Sequence, residues 1–143
     1  GQVMSEPLKP QLDMDIDYFI PDTYIPDAGS KMRIYRSLLL ADKQEEIESV
    51  REEIRDRFGP LPAPVENFLQ VAALRLKARD KQIKGLRRKG NEIEIHLVSP
   101  LPSEYHPPDG LQIKKINPHT LSLRLDQAHT QSLNSLQELL DLI

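Results

Sequence analysis

The sequence predicts an α+β fold, because its apolar residues recur with the period of a helix in the first half and the period of a strand in the second. Apolar residues are spaced three and four positions apart from about residue 30 to residue 80. Apolar and polar residues alternate from residue 93 to residue 125. A last run of helical spacing follows. This order predicts an N-terminal strand and helices, then a small antiparallel sheet, then a C-terminal helix.

Residues 1–12 are predicted to be a linker or tail, because they contain two prolines and show no period. A single domain is expected over residues 13–143. Apolar side chains alternate with aspartates from Leu12 to Tyr18, which predicts a half-buried strand.

Three helices are predicted between residues 30 and 80. The first has Ser30 as its N-cap and ends near Ala41. Its expected core face is Met32, Tyr35 and Leu39, with Leu38 beside them.

The second helix begins at Asp42, which can form a capping box with Glu45. It ends at Gly59. Its apolar stripe is Ile47, Val50, Ile54 and Phe58. The third helix starts in the proline-rich segment after residue 60 and ends near Asp80. Its stripe is Val65, Phe68, Leu69, Ala72 and Leu76.

Strands are predicted where the period changes to two. One strand contains residues 93–97, another begins at Leu111, and a third contains residues 121–125. Asn117 to Thr120 is a turn that makes the last two strands a hairpin. Four prolines make residues 99–110 a loop. The C-terminal helix is predicted from Leu133, Leu136, Leu140 and Ile143.

Composition excludes several classes of protein. The chain has 143 residues, 38% of them hydrophobic, and no apolar run approaches the length of a membrane span. It begins without the apolar stretch of a signal peptide and contains no cysteine, so disulfides and thiolate chemistry are excluded. We therefore expect a cytoplasmic protein without membrane contact.

Motifs for catalysis or cofactor binding are missing from the sequence. The glycines at 85 and 90 have the spacing of a phosphate-binding loop, but Asn91 and Glu92 stand where that loop has Lys and Ser or Thr. The four histidines are too widely spaced for a local zinc pair. We predict no catalytic residue, no metal and no cofactor for this chain.

A basic segment extends from Arg75 to Lys89, with eight cations and one acid, in a chain whose net charge is −3. It indicates a possible nucleic-acid patch centred on Lys84, Arg87 and Arg88. The alternative is a set of solvated cations at a helix end and on a strand, because no aromatic residue lies among them.

A second charged cluster lies on the second helix. Glu53, Asp56 and Arg57 are related by three and four positions and so project together beside the apolar stripe. They can face a partner protein. The alternative is a solvated helix with an internal ion pair between Glu53 and Arg57.

Specific sequence motifs add to these patterns. PDTYIPD at 21–27, IYR at 34–36 and EEIRDRFGPLPAP at 52–64 resemble the C-terminal domain of the bacterial transcription-repair coupling factors, the Mfd translocase family. The resemblance runs from about Asp13 onward and is strongest through Leu76. Its most specific string is the Asp-Arg-Phe-Gly at 56–59.

The resemblance implies a noncatalytic domain of a larger ATP-dependent DNA translocase that removes stalled RNA polymerase from duplex DNA and recruits excision repair. In that family the domain docks on an N-terminal module similar to the excinuclease B subunit. Docking covers the surface that recruits the excinuclease A subunit, and so represses the protein. The family's docking residues match Glu53, Asp56 and Arg57. The alternative function is a nucleic-acid-binding module that uses residues 75–89.

We predict that the purified chain hydrolyses no ATP, because its glycine pair lacks the lysine and hydroxyl that hold phosphate and magnesium. A coupled phosphate-release assay checks this. Turnover that copurifies with the chain through successive columns would contradict the prediction.

Overall fold

The computed structural model describes residues 9–14, 16–125 and 140–141 and confirms the α+β prediction. It forms two compact units. The helical unit lies within residues 16–76, and the sheet unit takes its described residues from 9–14 and from residue 77 onward. The division into a tail of residues 1–12 and a domain of residues 13–143 stays a prediction.

The first strand is shorter than the sequence indicates. β1 (Gln11–Asp13) starts one residue earlier than predicted and ends long before Tyr18. The chain then leaves the sheet because other partners take its backbone groups. The Asn67 amide donates to the carbonyl of Asp17 at 3.0 Å, and the Phe19 N–H donates to the carbonyl of Pro64 at 3.3 Å.

The first helix, α1 (Ala28–Leu39), has its N-cap at Asp27, three residues before the predicted cap. The Asp27 carboxylate accepts from the N–H of Ser30 at 2.8 Å and from its hydroxyl at 2.7 Å. Ser30 therefore belongs to the first turn and helps to hold the cap.

The predicted core face of α1 is largely wrong. Ile34 and Leu38 are buried, whereas Met32 and Leu39 are 59% and 57% exposed. The apolar residues of α1 itself lie on several sides of the helix, so periodicity allows more than one of these sides to be the buried stripe. Tyr35 lies at the side of the buried face, and its hydroxyl accepts from the N–H of Ile20 at 2.9 Å.

The second helix, α2 (Gln44–Phe58), confirms the predicted stripe. Ile47, Val50 and Ile54 are buried, and Phe58 is only half-buried. The predicted capping box is replaced by a related contact, since the Asp42 N–H donates to the Glu46 carboxylate at 2.7 Å.

Gly59 ends α2 with a φ of 91°, a left-handed conformation that strains any side chain. The third helix, α3 (Ala63–Asp80), continues from the helical unit into the sheet unit. Its predicted stripe is confirmed, with Val65, Phe68, Leu69 and Ala72 buried and Leu76 partly buried.

The helical unit has a continuous apolar core. Two turns of α2, the stripe of α3 and Ile34 with Leu38 of α1 pack together with Ile20 and Ile25 of the preceding segment. Tyr18 and Tyr35 contact the ring of Phe68, at centroid distances of 5.6 and 5.1 Å. This packing fixes which side of each helix faces solvent.

The sheet unit contains β1, β2 (Ile83–Lys89), β3 (Glu92–Leu97), β4 (Gln112–Asn117) and β5 (Thr120–Arg124). The strand order is β1-β2-β3-β5-β4. The predicted β4–β5 hairpin is confirmed. The strands after the helices pair antiparallel, as predicted, and the N-terminal strand β1 adds to them by pairing with β2 in parallel.

Strand β2 was not predicted. Its cations and a register shift between Ile83 and Gly85 hide the period of two. Leu86 pairs with Ile95, and Ile95 pairs with Leu121. These three side chains are buried and mark the core face of the sheet.

The predicted C-terminal helix lies mostly outside the described residues. Within them, Leu140 and Asp141 are helical and Leu140 is buried. Helices of the described part are all too short or too polar to cross a membrane.

Two neighbouring leucines of α1 test the assignment of its core face. Leu38→Ala is expected to lower the free energy of unfolding by about 2–5 kcal/mol, because it leaves a cavity at a side chain that is 3% exposed. Leu39→Ala is the matched control and is expected to change it by about 0.5 kcal/mol or less. Urea unfolding of both variants measures the difference, and equal losses would contradict the assignment.

Candidate interaction surface

The charged cluster predicted on α2 lies at the end of that helix, beside the buried stripe. Ile54 is fully buried, and this sets the rotation of the last turns. Asp56, two positions along, therefore projects away from the core, whereas Glu53 and Arg57 border the stripe, with Glu53 half-exposed and Arg57 exposed. The helical unit thus brings the three predicted residues together on one surface.

Glu53 is the centre of this cluster. One of its carboxylate oxygens lies 2.8 Å from Nη2 of Arg33 and 3.8 Å from Nη1 of Arg57. The first contact joins α2 to α1, and the second is the internal pair that the sequence allows. Glu53 is consequently held between two guanidinium groups in a defined position.

Arg57 has further contacts at the end of α2. Its guanidinium lies 5.1 Å from the centroid of the Phe58 ring. Hydrogen bonds from Ser30 lower the pKa of the Asp27 carboxyl, and the charge of Arg57 adds a smaller effect in the same direction. Arg57 therefore lies within electrostatic reach of the first turn of α1.

Asp56 differs from its neighbours. It is exposed, and among the described residues it has no ion-pair partner. It also lies in the last turn of α2, where the helix dipole disfavours a negative side chain. Among the described residues of the helical unit, no hydrogen bond or ion pair of the Asp56 side chain stabilises the fold.

The turn that follows the cluster is fixed by Tyr24. Its hydroxyl donates to the carbonyl of Gly59 at 2.7 Å, and its ring lies 6.0 Å from that of Phe58. Partial burial raises the pKa of the Tyr24 hydroxyl, which keeps it protonated as a donor. Tyr24 therefore holds the last turn of α2 in place through Phe58 and Gly59.

Arg33 is the member of the cluster that the sequence reasoning missed. It is on α1, and no spacing rule within a single helix connects it to Glu53. We call Arg33, Glu53, Asp56 and Arg57 the charged flank.

The basic segment 75–89 does not form one surface in the same way. Arg87 and Arg88 are adjacent on β2, with Arg87 opposite Glu94 and Arg88 opposite Ile93, so their side chains leave opposite faces of the sheet. Lys84 lies at the register shift. The nucleic-acid patch of Lys84, Arg87 and Arg88 stays a prediction.

Several cations of this segment already have acidic partners within the sheet unit. Lys77 pairs with Asp141 at 2.6 Å, Arg87 with Asp13 at 3.6 Å, and Lys89 with Glu94 at 2.8 Å. The hydrogen bond from Lys89 lowers the pKa of the Glu94 carboxyl. These pairs reduce the charge that the segment offers to a phosphate backbone.

Metal ligation is not indicated in the part of the chain that the structure describes, where no group of three or more acidic or histidine side chains could hold an ion. The fold and these contacts define an α+β domain whose most prominent polar feature is a charged helix flank.

Comparison with known proteins identifies the family. The sequence profile of the TRCF domain matches residues 14–106. The chain is 31% identical over 97 residues to the transcription-repair-coupling factor of Borreliella burgdorferi, a match that covers 66% of this chain. It is 33% identical over 87 residues to that of Escherichia coli K12, covering 59% of this chain. Each match covers only 8% of the relative's length.

A solved structure agrees with the fold. The crystal structure of the C-terminal domain of transcription-repair coupling factor superposes with a TM-score of 0.73 at 23% identity, covering 92% of this chain and 87% of the other. The chain belongs to the TRCF domain family. It is the kind of domain that occurs in transcription-repair coupling factors.

The contact between α1 and α2 can be measured by a double-mutant cycle. Arg33→Ala and Glu53→Ala are expected to show a coupling energy of about 0.2–1 kcal/mol, because both side chains are more than a third exposed. The coupling should decrease as salt is raised. The same cycle with Asp56→Ala in place of Glu53→Ala is the control and should give none. A coupling above about 2 kcal/mol would mean that the pair is desolvated.

Proposed function

We propose that this chain is a noncatalytic, autoinhibitory docking domain of a transcription-repair coupling factor. In this proposal the longer protein is an ATP-dependent DNA translocase that removes stalled RNA polymerase and recruits excision repair. The domain docks on the excinuclease-B-like N-terminal module of the same protein. Docking covers the surface that binds the excinuclease A subunit.

The observation that carries the proposal is the position of Asp56. An exposed acid in the last turn of a helix, without an ion-pair partner among the described residues, is unfavourable in the isolated domain. A cation supplied by a docked module would remove this unfavourable interaction. The matching string at 56–59 in the family resemblance points to the same residue.

The charged flank is also organised before any partner binds. Arg33 holds Glu53, and the Phe58 ring supports Arg57. Side chains that are already ordered lose less conformational entropy on docking. Because the flank carries two acids and two arginines, its partner must present both signs of charge in a matching order, which favours one docking geometry over others.

The proposal predicts the effect of Asp56→Ala combined with Arg57→Ala in the full-length protein. Fold stability should change by about 0.5 kcal/mol or less per site, because both side chains are exposed. Docking should weaken by about 2–5 kcal/mol, because the opposing charges on the module stay desolvated and unpaired. The readout is excinuclease A binding in the absence of a stalled polymerase, which should appear in the variant.

The matched control is Glu52→Ala combined with Arg55→Ala. This pair removes the same two charges from exposed positions of the same helix but leaves the charged flank intact. It should retain repression. Release by the control and not by Asp56→Ala with Arg57→Ala would show that another side of α2 docks.

A second comparison separates docking from nucleic-acid binding. Combined replacement of Lys84, Arg87 and Arg88 by Ala should leave repression in place. If it releases excinuclease A binding instead, or if this chain binds duplex DNA with an affinity that falls log-linearly with salt, the basic segment is the functional surface.

A further inference from the structure

Strand β4 is an unpaired edge of the sheet. It is the last strand in the order β1-β2-β3-β5-β4, and β5 is its single neighbour among the described strands. Half of its backbone N–H and C=O groups therefore point away from the sheet. Such an edge is a template for one more strand.

The edge lies beside a groove of about 600 Å³ on the sheet unit. Four of the six β4 residues line this groove, together with the proline-rich loop at 107–111. Ile116 adds an exposed apolar side chain, 52% accessible, at the edge. The groove can therefore receive side chains of a strand that adds to β4.

The charges along the edge select the kind of partner. Lys114 lines the groove directly opposite Ser122, and Arg124 lines it from the neighbouring strand. Neither cation has an ion-pair partner in the described part of the chain, in contrast to Lys89 and Arg87 elsewhere on the sheet. The groove is also lined by two acids, Glu92 and Asp109. The edge itself carries Lys114 and Lys115 and no acid, and these lysines beside free backbone groups favour an extended acidic segment.

A second copy of this chain is a poor occupant of the edge. Pairing of two β4 strands would place the lysines at 114 and 115 of one copy near those of the other. Like charges facing each other across strands are destabilising. The same lysines that oppose self-pairing attract acidic side chains.

We propose that β4 binds an extended acidic segment of a partner protein, which adds to the sheet as a sixth strand and places alternate carboxylates near Lys114 and Arg124. This surface is on the sheet unit and uses none of the charged flank. The proposal therefore does not depend on docking through α2.

The experiment uses the whole chain and a capped seven-residue peptide of alternating Glu and Val, labelled with a fluorophore. Anisotropy gives the dissociation constant, and amide hydrogen exchange by NMR reports where the peptide lies. We expect binding together with slower exchange of the outward amides of Gln112–Asn117. Two peptides serve as controls, one with Lys in place of Glu and one methylated on alternate backbone nitrogens, and both should bind at least about tenfold more weakly.

Lys114→Glu should weaken binding of the acidic peptide by about tenfold or more, because it replaces attraction with repulsion. Lys43→Glu makes the same change on an exposed residue of the helical unit and should change affinity by about twofold or less. Urea unfolding of both variants establishes that each is folded.

Three results would overturn the proposal. They are no binding at about 1 mM peptide, equal binding of the methylated peptide, or protection of amides elsewhere than in β4. Sedimentation of the free chain as a dimer with β4 protected would assign the edge to a second copy instead.

Discussion

Burial of the α2 stripe is the constraint on which the charged flank depends. Ile47 and Ile54 are fully inaccessible to solvent, and they pack in the core with Leu69 of α3. Since side chains on a helix are separated by about 100° per residue, fixing Ile54 inside turns Asp56 outward and leaves Glu53 and Arg57 at the border of the stripe. A rotation of the helix that moved these charges would have to expose large aliphatic side chains to water, and the hydrophobic effect opposes it.

Apolar spacing predicts the buried face correctly in α2 but not in α1, for a physical reason. The stripe of α2 is bordered by charged residues, so only one rotation buries apolar surface. In α1 the apolar positions include both Leu38 and Leu39, and either can be turned inward as far as periodicity is concerned. The choice is made by packing against α2 and α3, which a single sequence does not encode locally. Local spacing therefore predicted Glu53, Asp56 and Arg57 as one surface but missed Arg33, which reaches them from another helix.

The sheet shows the same limit. Strands β3 and β5 alternate regularly and pair through buried residues such as Ile95 and Leu121, so their sequences predict them. Strand β2 carries a register shift that places Ile83 and Leu86 inward, three positions apart. A period of two is lost at such a point. Alternation predicts a strand at β1, but its parallel pairing is hidden, because its partner lies far along the chain.

The pairing of Leu12 with Leu86 makes the sheet unit discontinuous in sequence, because the whole helical unit is inserted between two adjacent strands. This pairing is the most non-local among the described strands, and the entropy of closing the intervening loop opposes it until that segment is compact. The helical unit, whose contacts are closer in sequence, can form before the sheet is complete. A chain emerging from the ribosome would carry β1 unpaired until β2 had been synthesised. In kinetic terms, β1 is the strand whose pairing closes the longest loop, so in refolding it is expected to join the sheet late.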